Sequence, residues 1–223
     1  MCGDATDASD ARRLTTGATM PWVITDPPYG IDIVKVDDNG KGKHGRASIG
    51  GANIVDARKY YPIHGDDKPF DPTHLLTLGE EQIIFGANFF ASRLPDGKAW
   101  IVWDKDATGG FSDCELAWTS RTGRLRLYRH VWSGLRRAGP RAEELTERVH
   151  PSQKPVGLFR NILNDYTEPG AAFLDPYMGS GSTLIAAEIE GRCCYGIEIE
   201  PRYCDVIRAR WETFTGQTAV LHK

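Results

Sequence analysis

The sequence predicts an α/β protein built from parallel βαβ units, on three observations. The last third alternates strand, helix, strand, helix, with glycines at the turns between them. The apolar runs along the chain are short, and several stop abruptly at an aspartate, a proline or a glycine. Length and composition suit a folded chain with one substantial core: 223 residues, 40% hydrophobic and 26% charged, fit neither a disordered nor a fibrous protein.

In chain order, Trp22-Val-Ile-Thr25 is the first strand, and Asp26-Pro27-Pro28-Tyr29-Gly30 ends it, because two prolines extend neither a ladder nor a helix. Asp32 to Asp71 is polar and glycine-rich without a sustained period, and a connection of roughly 40 residues has the length of a functional lid or a disordered segment. Gln82-Ile-Ile-Phe85, Ala99-Trp-Ile-Val-Trp103, Cys114 to Thr119 and Leu125 to Trp132 read as strands, so the middle is mostly β. Val156 to Tyr166 reads as a helix entered from Pro155, with Leu158, Phe159, Ile162 and Leu163 on one face. Ala171-Ala-Phe-Leu174 is a strand ending at Asp175. Ser180 or Ser182 then caps a helix that runs to about Glu190, before Gly191. Cys193 to Ile199 is the next strand, and Pro201 to Phe214 the last amphipathic helix.

The net charge of -3 is unevenly spread. Thr119 to Arg141 holds Arg121, Arg124, Arg126, Arg129, Arg136, Arg137 and Arg141 and no acid, which leaves about -10 on the rest. Such a run is either a solvated face or, interleaved with Tyr128, His130 and Trp132, a track for a phosphate backbone. No apolar run approaches the roughly 18 residues of a membrane span, and Met1 is followed by polar, acidic sequence, so neither a membrane partner nor a secretion leader is expected. Cys2, Cys114, Cys193, Cys194 and Cys204 are odd in number and form no CxxC pair, and they are expected to be reduced thiols of the core. His44, His64 and His150 lack metal-ligand spacing; no metal is expected.

Chemistry concentrates at strand ends. Phe173-Leu-Asp-Pro-Tyr-Met-Gly-Ser-Gly-Ser-Thr183 sets an acid and a Gly-x-Gly turn between a strand and a helix, as close backbone approach to a nucleotide-like ligand requires. No lysine follows the second glycine and the third glycine of the dinucleotide pattern is absent, which disfavours a phosphate grip. Gly196-Ile-Glu198 closes the next strand with an acid, where a carboxylate can accept both hydroxyls of a ribose. The expected ligand is therefore a nucleoside without a phosphate. Asp26-Pro27-Pro28-Tyr29 adds a carboxylate, a proline carbonyl and an aromatic face at the end of another strand.

Together these strand ends resemble the S-adenosylmethionine-dependent amino-methyltransferases of DNA, in which Asp/Asn-Pro-Pro-Tyr holds an exocyclic amine. The chain order, with Asp-Pro-Pro-Tyr early and Asp-Pro-Tyr-Met-Gly-Ser-Gly late, looks like the circularly permuted β group of N6-adenine and N4-cytosine methylases. His150-Pro-Ser-Gln-Lys-Pro155 resembles the His-Pro-Thr-Gln-Lys-Pro element of that family, and Cys2-Gly3-Asp4 its Gly-Asp turn. Ile84-Phe-Gly-Ala-Asn88 and Trp103-Asp-Lys105 are similar to segments of phage-type and bacterial modification methylases. Tyr177 and Met178 depart from the pattern, standing for a commoner Phe and a variable residue.

The resemblance implies a Rossmann-like methyltransferase fold over 1–223 as a single domain: a seven-stranded, mostly parallel sheet with helices on both faces, a loop insertion at 32–71 and a short basic target-contacting segment at 119–149. It implies S-adenosylmethionine as cofactor, with Asp4 at the adenine and Glu198 at the ribose. Asp175, Pro176, Met178, Gly179, Ser180, Gly181 and Ser182 would hold the methionine part, and Ser152 with Lys154 the same end from the other side; a packing role for Lys154 stands as the alternative. Asp26, Pro27, Pro28 and Tyr29 would be catalytic. Asp26 and the Pro27 carbonyl would accept the amine, and Tyr29 would offer a stacking face to a flipped base.

The implied reaction is methyl transfer to the exocyclic N6 amine of adenine in DNA. N4-cytosine in DNA and N6-adenine in RNA are the neighbouring readings, and a catalytically silent DNA-binding partner subunit is the rival from another class. DNA is the expected partner, gripped by Arg121, Arg124, Arg126, Arg136 and Arg137 through its phosphates, with the glycine-rich 37–66 loop closing over the site and little sequence readout. A cytoplasmic restriction-modification setting is expected, and a homodimer is compatible with the sequence.

Overall fold

The computed structural model describes residues 1–34, 62–97, 99–106, 112–133, 136–137 and 149–221. Most of the 37–66 loop, His44 and Arg141 lie outside the described residues. The chain forms α1 (Ala8–Leu14), β1 (Met20–Thr25), β2 (Gly79–Phe85), β3 (Trp100–Asp104), β4 (Cys114–Thr119), β5 (Arg126–Arg129), β6 (Trp132–Ser133), β7 (Arg136–Arg137), α2 (Val156–Tyr166), β8 (Ala172–Asp175), α3 (Ser182–Glu190), β9 (Cys193–Gly196) and α4 (Pro201–Thr215). Short 3-10 helices occupy Thr73–Thr77, Ala87–Phe89 and Ala91–Arg93. No described helix is long and apolar enough to cross a membrane.

Seven strands make one sheet in the order β5-β3-β4-β2-β1-β8-β9. Every pairing is parallel except those of β4, which runs against both its neighbours. The seven-stranded, mostly parallel sheet expected from the family resemblance is present. Side chains alternate between its faces with the period of two that a strand dictates. Trp22, Ile24, Ile83, Phe85, Ile101, Trp103, Ala117 and Phe173 pack on one side with α2, α3 and the edge of α4. Ile84 and Trp118 point to the other, under the 3-10 segments through Leu75 and Phe90. Val23 and Leu174 share that second side with Leu14 of α1. Because both faces are covered, the strands at the centre read as continuous apolar runs.

Three expectations are corrected. Leu125 to Trp132 is not one strand: β5 stops at Arg129, and Trp132 opens a separate antiparallel ribbon, β6–β7, outside the main sheet. The strand from Cys193 ends at Gly196, because Glu198 leaves the β8 edge and bridges Cys2 instead. The five cysteines are free, but of them only half-buried Cys194 packs against the main core. Cys2, Cys114 and Cys193 are exposed, since β9 is the outermost strand and Cys114 begins β4 at the open end of the sheet.

Candidate active site

Parallel strands aim their carboxyl ends at one edge, and a crevice opens where the connections of two neighbours leave in opposite directions. Here that point lies between β1 and β8, since β1 continues to β2 on one side and β8 to β9 on the other. A cleft of about 1210 Å³ occupies it. Its walls include Asp26, Pro27, Pro28 and Tyr29 after β1, Asp175 to Ser180 after β8, Glu198 after β9, Lys105 after β3 and Glu115 on β4. Asp4, Ser152, Lys154 and Ser182 line the same space. The catalytic and cofactor residues named from sequence thus converge, Gly181 supporting the loop from behind.

One half of the cleft is built from carboxylates and tight turns. Asp175 accepts from Thr25 Oγ1 (2.7 Å), Thr183 Oγ1 (2.6 Å) and the Tyr177 amide (3.1 Å), so its carboxylate clamps β1, β8 and α3 together. Burial pushes its pKa up to about 6 against those hydrogen bonds. Glu198 accepts from the Gly179 amide through one oxygen (2.8 Å) and the Glu200 amide through the other (3.0 Å). Each oxygen keeps a lone pair for a further donor. Burial raises the Glu198 pKa as well. Gly179 and Gly181 both have positive φ, +51° and +76°, which bends the Met178-to-Ser182 turn around the space beside Glu198. Arg210 of α4 holds that turn from behind, donating to the Ser180 carbonyl (2.9 Å) and Ser182 Oγ (3.2 Å). The Met178 side chain is buried filler: a methyl group at Gly196 would come within 2.4 Å of its sulfur. Gln153, 2% exposed, lines the cleft with an Nε2 donor that has no partner among the described residues.

The other half is a charge cluster. Lys154 Nζ lies 2.6 Å from Asp26 Oδ2, 3.0 Å from the Tyr29 hydroxyl and 3.2 Å from Glu115 Oε2. The Tyr29 hydroxyl donates to Asp26 Oδ1 (2.5 Å), and Lys105 pairs with Glu115 Oε1 (2.5 Å). Burial raises the Asp26 pKa, with the Lys154 charge opposing. For Glu115 the balance reverses: burial raises it, but Lys154 and Lys105 together hold it below the ordinary range. Lys154, whose own burial opposes its charge, is kept protonated by Asp26 and Glu115. Its ammonium therefore faces the Asp-Pro-Pro-Tyr carboxylate; only its carbonyl touches the glycine turn, accepting from Ser182 Oγ (2.7 Å). Tyr29 also differs from expectation. Its ring stacks on Phe89 at 4.9 Å and 18°, and a methyl group at Gly86 would come within 1.9 Å of it. The exposed aromatic at this rim is Phe89, 51% accessible.

The arginine run does not form one patch. Antiparallel β4 carries the chain away from the cleft, and at ~3.4 Å per residue Arg121 lies roughly 20 Å from Glu115. Arg121 reaches the Tyr166 carbonyl at the far end of α2, and Arg126 faces Asp165 (3.7 Å). Arg121, Arg124 and Arg126 thus sit at the opposite edge of the sheet, and none lines the cleft. Parallel β5 returns the chain to the open end at Arg129, which pairs with Asp104 (2.9 Å), and the β6–β7 ribbon bearing Arg136 and Arg137 begins at the cleft residue Trp132.

Sequence reasoning missed Glu115, Phe89, Arg210 and Asp66. Buried Asp66 accepts from the amides of Tyr29, Gly30, Ile31 and Ile33, and so pins the loop that follows β1. None of the four has a local signal; an acid at a strand start or in a long polar connection looks like any other.

A family model described as DNA methylase matches residues 98–209, half of the chain. Type II methyltransferase M.ScaI of Streptomyces caespitosus is 32% identical over 75 residues, 34% of this chain and 25% of that protein. The chain spans about a quarter of the length of the curated relatives it matches. Among solved structures, that of the M1.HpyAVI-SAM complex aligns with a TM-score of 0.55 at 19% identity, over 94% of this chain and 98% of that one. The cytosine-N4-specific PvuII DNA methyltransferase aligns with a TM-score of 0.53 at 12% identity, over 97% and 92%. At such identities the structural likeness speaks for the fold.

Proposed function

Since the chain belongs to the N6/N4 DNA methylase family, we propose that it transfers a methyl group from S-adenosylmethionine to the exocyclic N6 amine of adenine in DNA, with 1–223 acting as one methyltransferase domain. The observation that carries the reading is the shared cleft at the ends of neighbouring strands β1 and β8, with Asp26 on one wall and the Asp175-to-Ser182 turn on the other. Its volume of about 1210 Å³ exceeds that of an ordinary small-molecule site, roughly 300 to 1,000 Å³, so a nucleoside cofactor and a base fit side by side.

The residues suit that cofactor. The unpartnered Gln153 Nε2 and the glycine turn match its amino-acid end, and the free lone pairs of Glu198 match two ribose hydroxyls. Asp4 spends Oδ1 on the Thr6 amide and hydroxyl, which leaves Oδ2 for the amine of the cofactor's adenine. When bound, the cofactor supplies a methyl group on a sulfonium cation, and the acid-rich lining favours that charge.

The target amine is a poor nucleophile because its lone pair is delocalised into the ring. Asp26 and the Pro27 carbonyl accept its two N–H bonds and bend the nitrogen toward tetrahedral geometry. Placement of this kind supplies up to about 7 to 11 kcal/mol, and Asp26 offsets the positive charge that develops on nitrogen. A carboxyl whose pKa burial has raised is also a fitting acceptor for the proton the nitrogen then sheds. Phe89 at the rim stacks on the extruded base, and the duplex is held near Lys68, Lys105 and the β6–β7 ribbon. The test is expression in a methylation-free host with single-base mapping of modified bases. N6-methyladenine is expected, and N4-methylcytosine without it would overturn the base assignment.

A further inference from the structure

We propose that Lys154 caps Asp26 while no base is bound, and that Glu115 is the seat to which its ammonium moves when a target amine arrives. This makes Glu115 a positioning residue, and it rests on the methyl-transfer reading above. Lys154 Nζ, 2.6 Å from Asp26 Oδ2, is an N–H donor standing where the substrate's amine has to donate. The Tyr29 hydroxyl already occupies the other oxygen at 2.5 Å. The Lys154 side chain is only 6% exposed, and a buried ammonium does not leave a carboxylate unless another partner takes it.

Glu115 is that partner. Its Oε2 lies 3.2 Å from Nζ, while Lys105 fixes Oε1 at 2.5 Å and so holds the seat in place. The Lys154 backbone stays anchored during the exchange, because its carbonyl accepts from Ser182 Oγ at 2.7 Å. Two carboxylates and two ammoniums balance, so the shift moves a cation between acids without creating a net buried charge. Glu115 then grips Lys154, and Asp26 is released to the amine.

The experiment is steady-state methylation of duplex DNA by E115Q, E115D and the isoelectric double variant E115Q/K154M, with cofactor affinity measured by calorimetry. Without the charged seat Lys154 stays on Asp26 and competes with the amine, so E115Q should raise KM for DNA about tenfold. Its affinity for S-adenosylmethionine should stay within about twofold of wild type. Removing the ammonium as well should restore KM in E115Q/K154M to about threefold of wild type or better, a rescue that a merely structural Glu115 would not show. E115D, shorter but charged, should fall between. An E115Q variant with wild-type KM, or a double variant as impaired as E115Q, overturns the proposal; should E115Q fail to fold, E115D with wild-type KM does so. A wild-type chain that methylates no DNA refutes the underlying reaction and this inference with it, whereas a methylating wild type with an unaffected E115Q refutes only the inference.

Discussion

At Asp26, burial lifts the carboxyl while Lys154 and Tyr29 hold its charge, and the proposed chemistry needs that charge. Asp26→Ala should abolish methyl transfer, yet leave calorimetric binding of S-adenosylmethionine nearly intact, because the glycine turn, Gln153 and Glu198 lie on the other wall. Retained activity would refute the assignment. Asp175 makes a separate prediction. Its folded pKa of about 6 lies above the 3.8 of an ordinary aspartate, so the folded state holds this proton more tightly than the unfolded chain. The stabilisation is complete below about pH 4 and is lost as pH rises to about 6. A shift of this size corresponds to about 3 kcal/mol. In Asp175→Asn the amide carries no charge and the Thr183 hydroxyl can turn to accept from it. The variant's melting temperature should therefore improve relative to wild type between pH 4 and pH 7. Parallel melting profiles would contradict this. At this scale Asp26, Asp175 and Glu198 were legible in the sequence, because each follows an apolar run and precedes a turn. Glu115 was not, since its partners come from residues 29, 105 and 154.

Among the elements, the loop after β1 depends on a residue 37 positions from Tyr29. Asp66, itself buried, takes four backbone amides of a half-buried loop, the shortest from Ile33 at 2.8 Å. Asp66→Ala should cost roughly 1 to 3 kcal/mol for each donor left buried and unpaired, relieved where water enters. The visible outcome is a fall in kcat as the Asp-Pro-Pro-Tyr segment loses its position, with the sheet still folded by circular dichroism. Wild-type kcat would show that the loop holds itself. Helix α2 matches the predicted span because Pro155 starts it and one face is apolar. Helix α1 was missed because only Ala11 of its seven residues is buried, so it carries no apolar stripe. The run from Leu125 looked like one strand because Leu125, Leu127, Tyr128, Val131 and Trp132 keep it rich in apolar and aromatic residues to its end, although the pairing with β3 stops at Arg129.

For the molecule as a whole, the direction of β4 decides where charge can meet DNA. If the cleft edge is the DNA face, replacing Arg124 and Arg126 with alanine should change neither KM for DNA nor the slope of binding against salt, since neither side chain would neutralise a phosphate there. A slope reduced by one or two would return these arginines to the interface, as the linear charge pattern suggests. By itself the sequence determined the class of fold, the strand ends that bear acids and the family resemblance, because a βα turn and the ligand chemistry it offers are written in contiguous residues. Only the tertiary structure decided that Lys154 faces Asp26, that Glu115 and Asp66 support it, and that the arginine run is divided between two edges of the sheet. The physical reason is that these follow from strand order and from one reversed strand, which bring together residues up to 128 positions apart, and no local period or composition encodes such an encounter.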